Sequence, residues 1–136
     1  MLQEEDAVAL ELINPEGLVE PQGYTQVAVA TGSRMVFVAG QVGQDAEGNV
    51  AGDLAAQTAQ ALRNVGIALE AAGATFGDVA KTTVYVVDWR PEKMADLVAG
   101  LSSSEMGKPG PTTLIGVAAL ADPDLLVEID VIAVTS

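Results

Sequence analysis

In the last apolar run of the chain, Leu125-Leu126-Val127-Glu128-Ile129-Asp130-Val131-Ile132-Ala133-Val134, one carboxylate is out of place. Strand alternation puts Leu125, Val127, Ile129 and Val131 on one face. Leu126, Ile132 and Val134 share the other face with Glu128 and Asp130, the latter near its exposed end. An acid flanked by Val127 and Ile129 must be solvated, paired or neutralised, because burying it alone is very costly. Two arrangements meet that need. One is an edge position or an ion pair with Arg34 or Lys81. The other is a site in which Glu128 positions or activates water.

Other residues offer weaker chemistry. Tyr24, in Gly23-Tyr24-Thr25 just before a strand, can stack on a ligand and donate a hydrogen bond, or plug the edge of the core. At Gly40-Gln41 the missing Cβ admits a ligand or another backbone, or marks a bulge. Thr112 and Thr113, after Pro111, present hydroxyls to a ligand, although β-propensity alone accounts for two threonines at a strand start. Trp89-Arg90 reads as packing. The sequence contains no phosphate loop, dinucleotide fingerprint or metal-ligand cluster.

Composition narrows the chemistry further. Among 136 residues there is no histidine and no cysteine, which removes the commonest general base, thiol nucleophiles, disulfides and thiolate metal sites. Carboxylates, hydroxyls, a few cations, backbone groups and water remain. Six basic against 19 acidic residues give a formal net charge of −13. Cations scattered from Arg34 to Lys108 form no cluster that could displace counterions from phosphates, so neither a nucleic acid nor an anionic membrane is expected as partner. No stretch approaches the ~18–20 apolar residues of a membrane span. The acidic N-terminus lacks the marks of a signal peptide, which points to a cytoplasmic location.

These residues need a scaffold, and the pattern supplies one domain over 1–136, with residues 1–7 frayed. Residues 9–14 read as a strand stopped by Pro15. Runs at 26–30 and 34–39 flank Thr31-Gly32-Ser33, a hairpin signal. Residues 40–52 form a glycine-punctuated loop, with a wide hairpin around Asp45–Asn49. A helix over 53–72 has Leu54, Thr58, Ala61, Leu62, Val65, Leu69 and Ala72 on one face, Asp53 as N-cap and Gly73 at C′. Gly66 in its middle suggests close packing against a sheet. A strand over 81–87, a helix from Pro91 to Ser103 and strands at 112–119 and 125–134 complete the order β-β-β-α-β-α-β-β. This is an α+β architecture, a mixed six-stranded sheet with two helices on one face.

Two helices cover only one sheet face, yet the strands are apolar on both: Met35 and Phe37 point one way, Val36 and Val38 the other. A monomer would leave a large apolar surface in water, so a homo-oligomer burying the uncovered faces is expected.

Several segments resemble one known family. Gly23–Val27 and Val36–Val42 are similar to its N-terminal signatures, and Gln57–Gly73 with Asp78–Tyr85 to its helix–strand core. Val117–Leu120 and Val127–Ala133 resemble its C-terminal block. This is the reactive intermediate deaminase (Rid, or YjgF-like) family, and the likeness covers about residues 10–135. It implies a chorismate-mutase-like fold (the bacillus type) and a homotrimer with small-molecule clefts between subunits. It also implies cofactor-free hydrolysis of enamine/imine acids to 2-oxo acids and ammonia. Tyr24 matches the family's cleft tyrosine, Gly40 the glycine of the cleft wall and Glu128 the glutamate that holds the attacking water.

One departure stands out. The arginine that grips the substrate carboxylate in the family falls on Thr112, which cannot make a bidentate charge-assisted pair. Losing such a contact costs several kcal/mol, or about three orders of magnitude in specificity constant. Lys108, four residues earlier, is a candidate substitute, as is Arg90. The chain thus resembles a subgroup lacking the arginine, with a non-catalytic, ligand-binding trimer as the alternative to an imine hydrolase. Chorismate mutase chemistry itself needs cations to hold a dicarboxylate, and this acidic chain supplies few.

Overall fold

The computed structural model describes residues 10–103 and 109–136. The N-terminal residues expected to fray, and Lys108, lie outside the described residues. The elements follow the expected order: β1 (Leu10–Ile13), β2 (Val27–Ala30), β3 (Arg34–Val42), α1 (Leu54–Ala71), β4 (Val79–Val87), α2 (Met94–Ser102), β5 (Thr112–Val117) and β6 (Val127–Thr135). Single 3₁₀ turns at Phe76–Asp78 and Pro91–Lys93 lead into β4 and α2. No helix among the described residues is long and apolar enough to cross a membrane.

Helix α1 forms as its caps dictate. The Asp53 carboxylate accepts the Ala56 N–H at 2.9 Å, satisfying one donor of the open first turn. Gly73, at φ +75°, reverses the chain in a conformation that other residues adopt with strain. Gly66 serves a different purpose from the one expected. It faces Phe76, not a sheet: a Cβ there would lie 3.1 Å from the Phe76 ring.

The six strands do not make one sheet. β3-β6-β4-β5 form a four-stranded sheet, and β1-β2 a separate antiparallel pair running from Leu10 opposite Ala30 to Ile13 opposite Val27. The hairpin expected between β2 and β3 is therefore absent. The Thr31-Gly32-Ser33 turn redirects the chain, but β3 pairs with β6 from Arg34 opposite Thr135 onwards. Gly32 is pressed against the end of β6, where a Cβ would come within 2.5 Å of the Thr135 carbonyl oxygen. The longer ladder wins over the local signal. Within the larger sheet β6 is antiparallel to β3 and β4, while β4 and β5 are parallel, so the sheet is mixed as expected.

Both helices lie on one face. Val38, Val84, Val86, Val127, Ile129, Val131 and Ala133 point inward onto Leu54, Ala61, Leu62, Val65 and Leu69 of α1 and Leu97 of α2. A buried polar clamp closes this core at the entrance to β6. Gln57, 1% exposed, donates to the carbonyls of Ala51 (3.2 Å) and Asp124 (3.0 Å) and accepts the Leu126 N–H (2.8 Å). The opposite sheet face has no cover among the described residues: Phe37 is 68% exposed and Met35 61%. Such exposure on alternate positions of the strand leaves an apolar patch open to water.

Candidate functional site

Glu128 sits on that uncovered face, on the strand flanked by β3 and β4. Neither bland arrangement holds. β6 is not an edge strand, and the Arg90–Asp88 pair is the only ion pair among the described residues. Arg34 instead donates to the Ala72 carbonyl, and Lys81 to the Thr113 hydroxyl. The Glu128 carboxylate is half-buried and accepts no hydrogen bond among the described residues.

A bulge in β3 makes room for it. Val38 faces Val131 and Gln41 faces Ile129, so Ala39 and Gly40 together oppose Asp130. Glu128 lies over this bulge: a Cβ on Gly40 would collide with the carboxylate and sit 2.8 Å from the Glu128 Cγ. What approaches Gly40 within the chain is therefore the Glu128 side chain, as well as the strand bulging there.

The polar neighbours of Glu128 come from β4 and from β6 itself. Tyr85 lies directly across the ladder from Glu128, and its hydroxyl donates to Asp130 Oδ2 at 3.1 Å. That hydrogen bond, which holds the neutral phenol, raises the Tyr85 pKa above its ordinary value of 10.0. The negative charges of Asp130 and Glu128 and partial desolvation act in the same direction. Sequence reasoning missed Tyr85. Its parity with Lys81 and Thr83 along KTTVYVV was the available signal.

Thr112 and Tyr24 are elsewhere. Thr112 pairs with Thr82, whose side chain is buried on the helix side, whereas Thr113 pairs with Thr83 on the Glu128 side. The Thr112 hydroxyl donates to the Gly110 carbonyl at 3.0 Å. The loop carrying Tyr24 is tied to the same corner, because Thr25 donates its N–H to Gly110 (3.2 Å) and its hydroxyl to Pro109 (2.7 Å). One chain thus carries two groups: Gly40 with Glu128, Tyr85 and Asp130 on the uncovered face, and Tyr24 with Thr112 at the start of β5. No hydrogen bond among the described residues joins them. Trp89 packs on the core over Gly116, as expected, and Arg90 pairs with exposed Asp88 at 3.3 Å. The open depressions beside α1, one with Gly40, Asn64 and Ile67 in its wall and one with Arg63 and Phe76, do not include Glu128.

Residues 18–135 match the family profile described as Endoribonuclease L-PSP. A RutC family protein of Pyrococcus abyssi is 33% identical over 129 residues, spanning 93% of this chain and 98% of its own. A 2-iminobutanoate/2-iminopropanoate deaminase of Salmonella typhimurium is 36% identical over 101 residues, 74% of this chain and 79% of that enzyme. Among solved structures, the Rid-family protein YyfB of Yersinia pestis superposes with a TM-score of 0.85 at 37% identity, covering 93% of this chain and 99% of that one. TdcF of E. coli, solved with bound serine, gives 0.66 at 31% identity over 88% of this chain and 92% of its own. A match over this much of the chain makes the protein a member of the Rid/YjgF (Endoribonuclease L-PSP) family.

Proposed function

We propose that the chain works as a homotrimer whose clefts hydrolyse the C=N bond of small imine or enamine metabolites, with Glu128 directing the water. The observation that carries this reading is Glu128 itself: a carboxylate with no hydrogen-bond or ion-pair partner among the described residues, on an interior strand, seated over a bulge whose glycine leaves space for it. Once a second subunit covers this face, leaving such a group unengaged would be costly, so in this reading it engages water or substrate there. Water adds to the protonated imine carbon and gives up a proton to Glu128. Collapse of the resulting carbinolamine, with a proton delivered to nitrogen, then releases ammonia and leaves a carbonyl compound. No cofactor is required.

Assembly completes the site in this reading. Thr112 and Glu128 lie on opposite faces of one sheet, so in this reading the corner bearing Tyr24 and Thr112 meets a Glu128 across a subunit boundary, while Thr113 shares the face of its own chain's Glu128. Exposed Phe37 and Met35 supply the apolar surface for that contact. With threonine at 112 the cleft lacks a fork for a substrate carboxylate, so 2-imino acids are poor substrates. Lys108 remains a candidate cation for the cleft. RNA is disfavoured as substrate by a net charge of −13 per chain.

Semicarbazide trapping of 2-iminopropanoate or 2-iminobutanoate tests the reading. Signal is expected to fall faster with protein than without it, Glu128→Ala to abolish the difference, and Thr112→Arg to enlarge it. An inert wild type that stays inert as Thr112→Arg favours the non-catalytic binding trimer instead. That alternative draws support from Thr112, whose hydroxyl is already engaged by Gly110.

A further inference from the structure

The uncovered face carries two carboxylates two residues apart on β6, and the chemistry above uses one. Residues i and i+2 of a strand share a face at about 6.6–7 Å, close enough for two acids to compete for the same proton or water. The neighbouring strands settle the competition. On β4 the phenol of Tyr85, opposite Glu128, reaches diagonally to Asp130 at 3.1 Å. Lys81, the cation on this face of β4, is turned to Thr113. From β3 the face receives Met35 and Phe37, and from β5 Thr113 and Ile115, none of them titratable.

We infer that Tyr85 is a positioning residue for Glu128: its hydroxyl commits Asp130 as an acceptor and leaves Glu128 as the one unengaged carboxylate on this sheet face. The inference rests on the role proposed for Glu128. Because the phenol proton points to Asp130, Tyr85 neither donates to Glu128 nor exchanges protons with it. The raised pKa of Tyr85 keeps that proton in place through neutral pH.

The chain has two tyrosines, so a Tyr24→Phe background leaves Tyr85 as the sole phenol for absorbance titration. Tyrosinate is expected to form at a higher pH than for free tyrosine, and Asp130→Ala to lower that midpoint. An unchanged midpoint overturns the inference. In the otherwise wild-type protein, Tyr85→Phe keeps the ring and removes the hydroxyl. It is expected to lower kcat for imine hydrolysis about tenfold with KM little changed, a smaller loss than the roughly 100-fold or more of a removed general base, because Glu128 itself stays in place. Tyr85→Phe/Asp130→Asn is expected to recover most of that loss, because the competing acid is gone. A merely structural tyrosine predicts no such rescue, and its absence overturns the inference. If the wild type hydrolyses no imine, the proposed reaction fails, and the titration alone decides whether Asp130 is committed to Tyr85.

Discussion

Replacing Gly40 with alanine separates the stability of this fold from its chemistry. Gly40 is not at positive φ, so its backbone accepts a side chain without strain. The new methyl would instead stand 2.5 Å from the Glu128 Cδ and 2.8 Å from its Cγ, well inside ordinary contact distance. Glu128 must rotate away, and a displaced or off-rotamer side chain costs about 0.5–1.5 kcal/mol. At roughly 4 °C per kcal/mol for a domain of this size, the melting temperature falls by about 2–6 °C. In the proposed reaction the catalytic cost is larger. A general base moved out of reach forfeits about 100-fold or more in rate. The assay is imine disappearance under semicarbazide trapping, run beside a thermal melt. Gly40→Ala is expected to match Glu128→Ala in rate, and the double variant to be no slower than either, since both remove the same group. Wild-type turnover in Gly40→Ala, or a melting drop beyond about 10 °C, would show that Gly40 does something other than house that carboxylate.

Other outcomes follow from the packing. Gln57→Leu strands the Leu126 N–H and the carbonyls of Ala51 and Asp124 at the core margin. At about 1–3 kcal/mol per buried orphan, partly relieved by water, a net loss of about 3 kcal/mol and a melting drop of about 12 °C are expected in calorimetry. Phe37→Asp places a charge on the uncovered face, and sedimentation equilibrium at micromolar concentration should report monomer where the wild type reports an oligomer; a monomeric wild type defeats the assembly. Asp45 has a pKa below its ordinary 3.8, chiefly because its carboxylate accepts the Asn49 N–H, so its contribution is present at neutral pH and lost as pH falls through the lowered value. The Glu47 and Asn49 amide resonances should report release of the 45–49 loop in that acid range; the same resonances unmoved there would contradict it.

Much of this was legible in the residues themselves. The 3.6-residue period, Asp53 and Gly73 defined α1 to within a residue or two, because caps and amphipathic spacing are local signals. Parity along LLVEIDVIAV put Val127, Ile129 and Val131 on one face and Glu128 on the other, and the structure turns the first face onto the helices. Pairing was less legible. Thr31-Gly32-Ser33 looks like a hairpin turn, yet β3 found a longer partner at the other end of the chain, and no local pattern encodes that choice. The site was half visible. An acid among aliphatics announced Glu128, whereas the diagonal contact between Tyr85 and Asp130 depends on the β4–β6 register and could not be read from either segment alone. Gln57 was hidden because two of its three partners, Asp124 and Leu126, lie 67 and 69 residues away along the chain.

β6, which bears the proposed water-directing acid, is laced on both sides along its length, with Gln57 bolting its entry. Its backbone belongs to the last part of the molecule to open, so no loop swing can carry the carboxylate toward or away from a ligand. Adjustment to different molecules must come from what is brought up against it. In the proposed trimer, ligand preference would thus change through the rim and the neighbouring copy, while the floor beneath stays still.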